Sequence, residues 1–398
     1  MQLWLRLLGI SGLVALSVQA MDFARPFGRC MVLPRGKPIP VWGHGTPGGE
    51  VKVTFAAQTK TARCDGDGRW RVVLAAELAC AQGRDLSLSA ADGHLVLTDV
   101  LVGDVWLCSG QSNMDFPLAK AIGGLAESAA ADAFPQIRVL DLSGAPTTAR
   151  PYDAATLARL TEQDHFTGTW APASAASTAG FSAIAWWTAK MLHLQQHIPI
   201  GVVENAVGGS GTEAWLPRQV LEAHSEYKDL LGDGWLDCPQ LSPWARGRAR
   251  LNLGTHLRAM HPFRPAFLFE SGVRPWADFP FAGVLWYQGE TNAELAADSW
   301  NESLLENMVQ GWRSALNQPH LAFFMVQLPR IGGNDPLRAH WPEYRAMQAR
   351  VAECLPGVHL IVTQDLGWDS PDVHPPDKLP VAKRLAAAVL QAASAPSP

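Results

Sequence analysis

Between residues 21 and about 100, apolar and polar residues alternate in short runs. Examples are VKVTF (51–55), RWRVVLA (69–75), DLSLSA (85–90) and HLVLTDV (94–100). The turn clusters GTPGGE (45–50), CDGDGR (64–69) and AADG (90–93) separate them. A period of two predicts half-buried strands, and this spacing predicts a small all-β sandwich or barrel. From about residue 101 the pattern changes. LVGDVWL (101–107), IRVLDL (137–142), IPIGVVENAV (198–207), FAGVLWYQ (281–288), LAFFMVQL (321–328) and VHLIVTQDL (358–366) are continuous apolar runs that predict buried strands. Between them, 181–197, 303–316, 341–355 and 381–393 carry a helical period. Strands alternating with helices predict a mostly parallel sheet with helices on both faces. The stretches 145–180 and 225–280, rich in Ala, Ser, Pro, Trp and Arg, predict long decorated loops.

The first twenty residues differ from all of this. Arg6, an apolar run from Leu7 to Val18, and the small residues of Val18-Gln19-Ala20 form the pattern of a secretory signal cleaved after Ala20. The run is shorter than the roughly 20 residues that span a bilayer. The expected organisation is therefore a signal peptide at 1–20, a β domain at 21–100 and an α/β domain at 101–398, in a secreted or periplasmic protein without a stable membrane anchor. A formal charge of −5 gives no electrostatic case for nucleic acid or anionic membranes. Export permits disulfides. Of the six cysteines, Cys64 and Cys80 fall in one β-rich segment and either pair or stay as buried thiols. Cys108 reads as packing. No His/Cys/Asp/Glu spacing predicts a metal site, and no cofactor is expected.

In parallel sheets ligands bind beyond the carboxyl ends of the strands, and four of these ends carry unusual residues. They are Gly110-Gln111-Ser112-Asn113, Gly208-Gly209-Ser210-Gly211, Gln288-Gly289-Glu290-Thr291-Asn292 and the run from Gly367 through Asp369 and Asp372 to His374. Ester hydrolysis needs a nucleophile, a base, a group that holds the base, and donors for a developing oxyanion. A serine, an Asp/His cluster, a Gly-Gly turn and a carboxamide supply that set. The G-x-S-x-G elbow of ordinary α/β-hydrolases is missing around Ser112.

The segments LVGDVWLCSGQSNM, GGSGTEAW, FAGVLWYQGETNA and DLGWDSPDVHP together resemble the sialate O-acetylesterase family, carbohydrate esterases of the SGNH-hydrolase superfamily. The resemblance implies a flavodoxin-like three-layer α/β sheet behind a small all-β domain. It implies removal of O-acetyl groups from carbohydrate, typically O-acetylated sialic acid. By position, Ser112 would be the nucleophile and His374 the general base. The Ser112 N–H, Gly209 (or Gly208) and Gln288 would form the oxyanion hole. The superfamily's D-x-x-H places Pro371 where the Asp should stand, so the base's partner is Asp372, two residues before His374, or else Asp369 with a backbone carbonyl.

Glu290, Asn292, Glu213 and Trp215 are expected to brace loops or line the sugar site. Arg345 and Gln348 are expected on a solvated helix face. Trp170, Trp235, Trp244 and Trp276 are suited to stacking on sugars. The rival readings are an acetyl xylan or other hemicellulose esterase, and a non-catalytic sugar-binding protein.

Overall fold

The computed structural model describes residues 21–394 apart from 147, 297 and 334. The expected signal peptide, 1–20, lies outside the described residues. The period of two organises the amino-terminal region as predicted. Strand Glu50–Phe55 buries Val51, Val53 and Phe55 and exposes Glu50 and Lys52. Arg69–Leu74 buries Trp70, Val72 and Leu74 in the same way. The elements from Asp22 to Ala90 are all strands. Three of them, Asp22–Phe23, Ile39–His44 and Arg69–Leu74, form one antiparallel sheet.

The central element is a single strand, β1 (Gly93–Gly110), where the sequence predicts two. Its first part pairs antiparallel with Cys80–Ala90, and its last part lies between parallel neighbours. It therefore runs without a break through the expected boundary at residue 100, and the sheet is a mixed one of eleven strands. The pairing with Cys80–Ala90 shifts register around Asp99, which has φ of +59° and whose carboxylate accepts a 2.6 Å bond from Arg138.

The other strands of the parallel part are β2 (Ile137–Asp141), β3 (Ile200–Glu204), β4 (Gly283–Tyr287), β5 (Phe323–Val326) and β6 (Val358–Ile361). Their order is β2-β3-β1-β4-β5-β6, all parallel, with Ala171–Pro172 antiparallel at the β2 edge. β3 and β4 are buried along their whole length, which is why they read as unbroken apolar runs. The main helices are α1 (Ala183–Gln196), α2 (Pro243–Leu253), α3 (Asp298–Ala315), α4 (Trp341–Cys354) and α5 (Leu379–Ser394). α1 and α5 pack on each other and reach β3 and β5–β6 respectively; α3 packs on α4, and α4 on β6.

One expectation needs correction, and one open alternative is decided. The stretches 145–180 and 225–280 are not bare loops: they hold α2, the short helices Ala154–Ala158, Ala175–Ala179 and Phe267–Gly272, and several 3-10 turns. α2 escaped detection because its run PWARGRARLNL buries only Ala245, Ala249, Asn252 and Leu253, too few for an apolar period. Its start was legible: Ser242 caps it by accepting a 3.1 Å bond from the Ala245 N–H, and Pro243 follows. All six cysteines are free thiols, so Cys64 and Cys80 are not paired. Cys108 is fully buried, as packing requires.

Candidate active site

The chain leaves the sheet centre at β1, travels to β2 and β3 on one side, then crosses to β4 on the other. That reversal opens a crevice beyond the end of β1. Gly110, with φ of +136°, closes the strand: a Cβ there would stand 2.0 Å from the Tyr287 carbonyl oxygen, so only glycine lets the strands stay this close. The Gln111 N–H donates to that oxygen at 2.9 Å. The Met114 and Asp115 N–H groups both return to the Gln111 carbonyl, at 2.8 and 3.0 Å. This tight turn presents Ser112 at the crevice.

The loop after β6 brings in the imidazole. His374 Nε2 lies 2.8 Å from Ser112 Oγ, and His374 Nδ1 lies 2.7 Å from Asp372 Oδ1. A carboxylate only accepts, so the proton of the neutral ring sits on Nδ1 and Nε2 faces the hydroxyl as an acceptor. Asp372 Oδ1 also accepts the His374 backbone N–H at 3.0 Å. This double contact is how an Asp two residues away reaches the ring despite Pro371. Trp368 Nε1 ties the Asp372 carbonyl at 2.7 Å. Asp369 points elsewhere: its carboxylate pairs with Arg330 at 2.9 Å and its side chain is 91% exposed.

Among the described residues, no acceptor meets the backbone N–H groups of Ser112, Gly208 or Gly209. Gly209 has φ of +78°, and a Cβ on it would strike the Trp244 ring at 2.6 Å. Gln288 does not match its expected role. It is wholly buried, and its amide nitrogen already faces Asn292 Oδ1 at 2.7 Å, the Ser210 carbonyl at 3.2 Å and Gln111 Oε1 at 3.3 Å. Its Oε1 accepts from Thr212 Oγ1 at 2.7 Å. Two hydrogens with three internal acceptors leave none for an oxyanion, so Gln288 is a brace under the crevice. The strand end alone could not reveal this, since a buried carboxamide and a lining one read alike.

Asn113, on the far side of Ser112, was not predicted. Its amide donates to Glu290 Oε1 and, at 2.8 Å, to the Val373 carbonyl next to His374, and its Oδ1 accepts from Lys378. Lys378 and Glu290 are both buried. Burial lowers the Lys378 ammonium to about 7 and raises the Glu290 carboxyl. The HPPDK run after His374 was the available clue to Lys378.

A cavity of about 220 Å³ opens over Ser112 and His374. Gln111, Gly209, Glu290, Trp244, Arg248 and Arg338 are among its lining residues. Of the tryptophans suited to sugar stacking, only Trp244 lies here, 39% exposed; Trp170, Trp235 and Trp276 are core residues. Glu290 lines the site, whereas Glu213, Asn292 and Trp215 brace loops: Asn292 bonds the Thr212 N–H at 2.9 Å and Glu213 Oε1 at 3.0 Å, and Trp215 donates to Ser210 Oγ at 3.0 Å. Gln348 is not solvated: it is buried and bonds the Leu328 N–H at 3.0 Å and the Val326 carbonyl at 3.2 Å, at the end of β5. Half-buried Arg345 donates to the Pro329 carbonyl at 3.4 Å. Among the described residues no His/Cys/Asp/Glu group could hold a metal ion, and no helix is long and apolar enough to cross a membrane.

A family model described as carbohydrate esterase, sialic acid-specific acetylesterase, matches residues 102–233 and 264–391. The sialate O-acetylesterase of Mus musculus is 27% identical over 384 residues, covering 87% of this chain and 68% of that protein. That of Homo sapiens is 27% identical over 379 residues, covering 87% and 65%. A crystal structure of a carbohydrate acetylesterase from Xanthomonas citri superposes with a TM-score of 0.72 at 30% identity, covering 92% of this chain and 74% of that one.

Proposed function

The chain belongs to the sialic acid-specific acetylesterase family of carbohydrate esterases, and from that membership and the site geometry we propose a serine esterase that removes acetyl groups from O-acetylated sialic acid. It is a carboxylic ester hydrolase acting on O-acetylated carbohydrate. The observation that carries the mechanism is the bonded series Ser112–His374–Asp372.

His374 Nε2 takes the Ser112 proton as Oγ attacks the acetyl carbonyl. The Ser112 and Gly209 (or Gly208) N–H groups face the resulting oxyanion. Asp372 holds the ring's tautomer and stabilises the imidazolium. The C–O bond to the sugar breaks, the sugar oxygen takes the proton from His374, and an acetyl-enzyme remains. His374 then takes a proton from water, the hydroxide attacks the acetyl carbon, and Ser112 leaves with that proton as acetate forms.

The strand order supports the finer fold reading: set apart from β2, the series β3-β1-β4-β5-β6 is the 2-1-3-4-5 order of flavodoxin-like sheets. The division at about residue 100 is kept, with β1 as the element both parts share. Export follows from the pattern of residues 1–20. The rival acetyl xylan esterase would use the same triad on a neutral sugar.

The test is a panel of O-acetylated sialic acid, acetylated xylan and an aryl acetate, scored by acetate release beside Ser112→Ala. We expect release from the sialic acid and none from the variant on any substrate. Preference for acetylated xylan selects the rival, and a fully active Ser112→Ala ends the mechanism.

A further inference from the structure

Gln111, the residue before the serine, has its carboxamide oriented by groups whose polarity is not in question. Its Oε1 faces the backbone N–H of Thr291 at 3.3 Å and that of Gly289 at 3.5 Å, together with Gln288 Nε2 at 3.3 Å. Backbone N–H groups only donate, so the oxygen end is turned toward the loop after β4 and the nitrogen end away from it. Among the described residues, no acceptor meets Gln111 Nε2. Nor is that nitrogen one of the buried atoms left without a partner. Gln111 is 3% exposed, and the surface it retains lines the cavity shared with Ser112, Gly208 and Gly209. Its backbone is pinned by the bond to Tyr287 and by the turn that closes on its own carbonyl.

A fixed donor with unused hydrogens, beside a nucleophile at the wall of its cavity, is what stabilises developing negative charge, because nothing reorganises during the reaction. Gln288, with three internal acceptors, braces Gln111 by donating to its oxygen. We propose that Gln111 Nε2–H donates to the ester carbonyl oxygen as it becomes an oxyanion, making Gln111 a catalytic residue beside the Ser112 and Gly209 N–H groups. The hydrogen stays on Gln111 throughout, and only the charge on the substrate oxygen changes. This rests on the serine-esterase reading above.

Gln111→Met removes the donor without adding charge, and Gln111→Glu keeps the oxygen that Gly289 and Thr291 need. On an aryl acetate, both should lose about 10²–10³-fold in kcat with KM little changed, the signature of an interaction made in the transition state. A purely structural role would instead move KM and the thermal midpoint. The wild-type protein supplies an independent readout that does not depend on either variant folding. In a crystal structure with Ser112 phosphonylated, Gln111 Nε2 should lie about 3 Å from the phosphoryl oxygen. If that oxygen is held by Gln288 instead, or by no side-chain amide, the proposal fails. An inactive Ser112→Ala beside fully active Gln111 variants overturns it alone, whereas a fully active Ser112→Ala overturns the mechanism beneath it as well.

Discussion

One carboxylate oxygen of Asp372 accepts twice from His374, from its backbone N–H at 3.0 Å and from its ring Nδ1 at 2.7 Å. The loop is thereby curled so that the ring and its holder move together, although Asp372 itself is half exposed.

Asp372→Asn retains the size of the side chain but supplies a donor as readily as an acceptor, so the imidazole tautomer is no longer dictated. The expected result is a fall in kcat of about 10³-fold or more on an aryl acetate. Asp369→Asn, which changes a carboxylate paired with the exposed Arg330, should stay near wild type. Steady-state kinetics on the two variants checks this, and a reversed ranking would reassign the base's partner.

Gly209 is bounded by conformation and by space. Its φ is +78°, and an added Cβ would meet two Trp244 ring atoms at 2.6 Å and Phe263 at 3.1 Å. Gly209→Ala should cost about 1–2 kcal/mol in denaturant unfolding from backbone strain. It should also reduce kcat/KM by tenfold or more, because the strain turns the N–H away from the oxyanion position. Equal, small losses in both measurements would mean that the N–H is not used.

Arg248 lines the cavity with its guanidinium over the Trp244 ring, 5.0 Å from its centroid. Among the described residues it has no carboxylate partner, whereas neighbouring Arg338 is paired with Glu294 at 3.2 Å. Its charge is therefore available to an anionic sugar. Arg248→Gln should lower kcat/KM for O-acetylated sialic acid about tenfold, the worth of one charge-assisted bond. Acetylated xylan and aryl acetate should be unaffected. A uniform loss on all three would assign Arg248 to packing.

Asn113 connects Lys378, Glu290 and the Val373 carbonyl, all next to the triad. Asn113→Ala leaves a buried ammonium and a buried carboxyl without that partner, at a cost of about 2–3 kcal/mol. It also releases the Val373 carbonyl. Unfolding and kinetics should therefore both register the change, with kcat falling more than KM rises.

Much of this was legible in the chain because burial leaves a pattern. β3 and β4 are buried along their whole length and read as unbroken apolar runs, and Ser112, Gly209 and His374 lie in the segments that follow β1, β3 and β6. The fusion of 94–100 with 101–107 into β1 was hidden because the pattern changes there from alternating to continuously apolar, although the chain runs on as one strand with Asp99 at positive φ inside it. The contrasting uses of Gln111 and Gln288 were hidden for another reason. Both are carboxamides at strand ends, and only three-dimensional neighbours decide which has its hydrogens consumed. Trp170, Trp235 and Trp276 illustrate the same point, since tryptophan serves a core and a sugar platform equally well.

His165 supplies the pH prediction. Its ring is buried between Phe166 and Phe267, at centroid distances of 4.6 and 5.0 Å, with neither nitrogen bonded. Burial, and secondarily Arg159 and Arg25, lowers it from 6.5 to about 3. Between those values the unfolded chain binds a proton that the folded chain refuses, so stability is intact above pH 6.5 and is lost as pH falls toward 3. At pH 5 the loss from this one residue is about 2 kcal/mol. Asp115 and Glu213, both raised to about 7 by burial, act in the opposite direction over an overlapping range, so the informative quantity is a difference between proteins. His165→Leu puts an apolar group of similar volume in the slot and removes the titration. Relative to wild type, its denaturant midpoint should rise progressively from pH 6.5 to pH 5. A constant offset between the two proteins across that range would show that His165 stays unperturbed in the folded state.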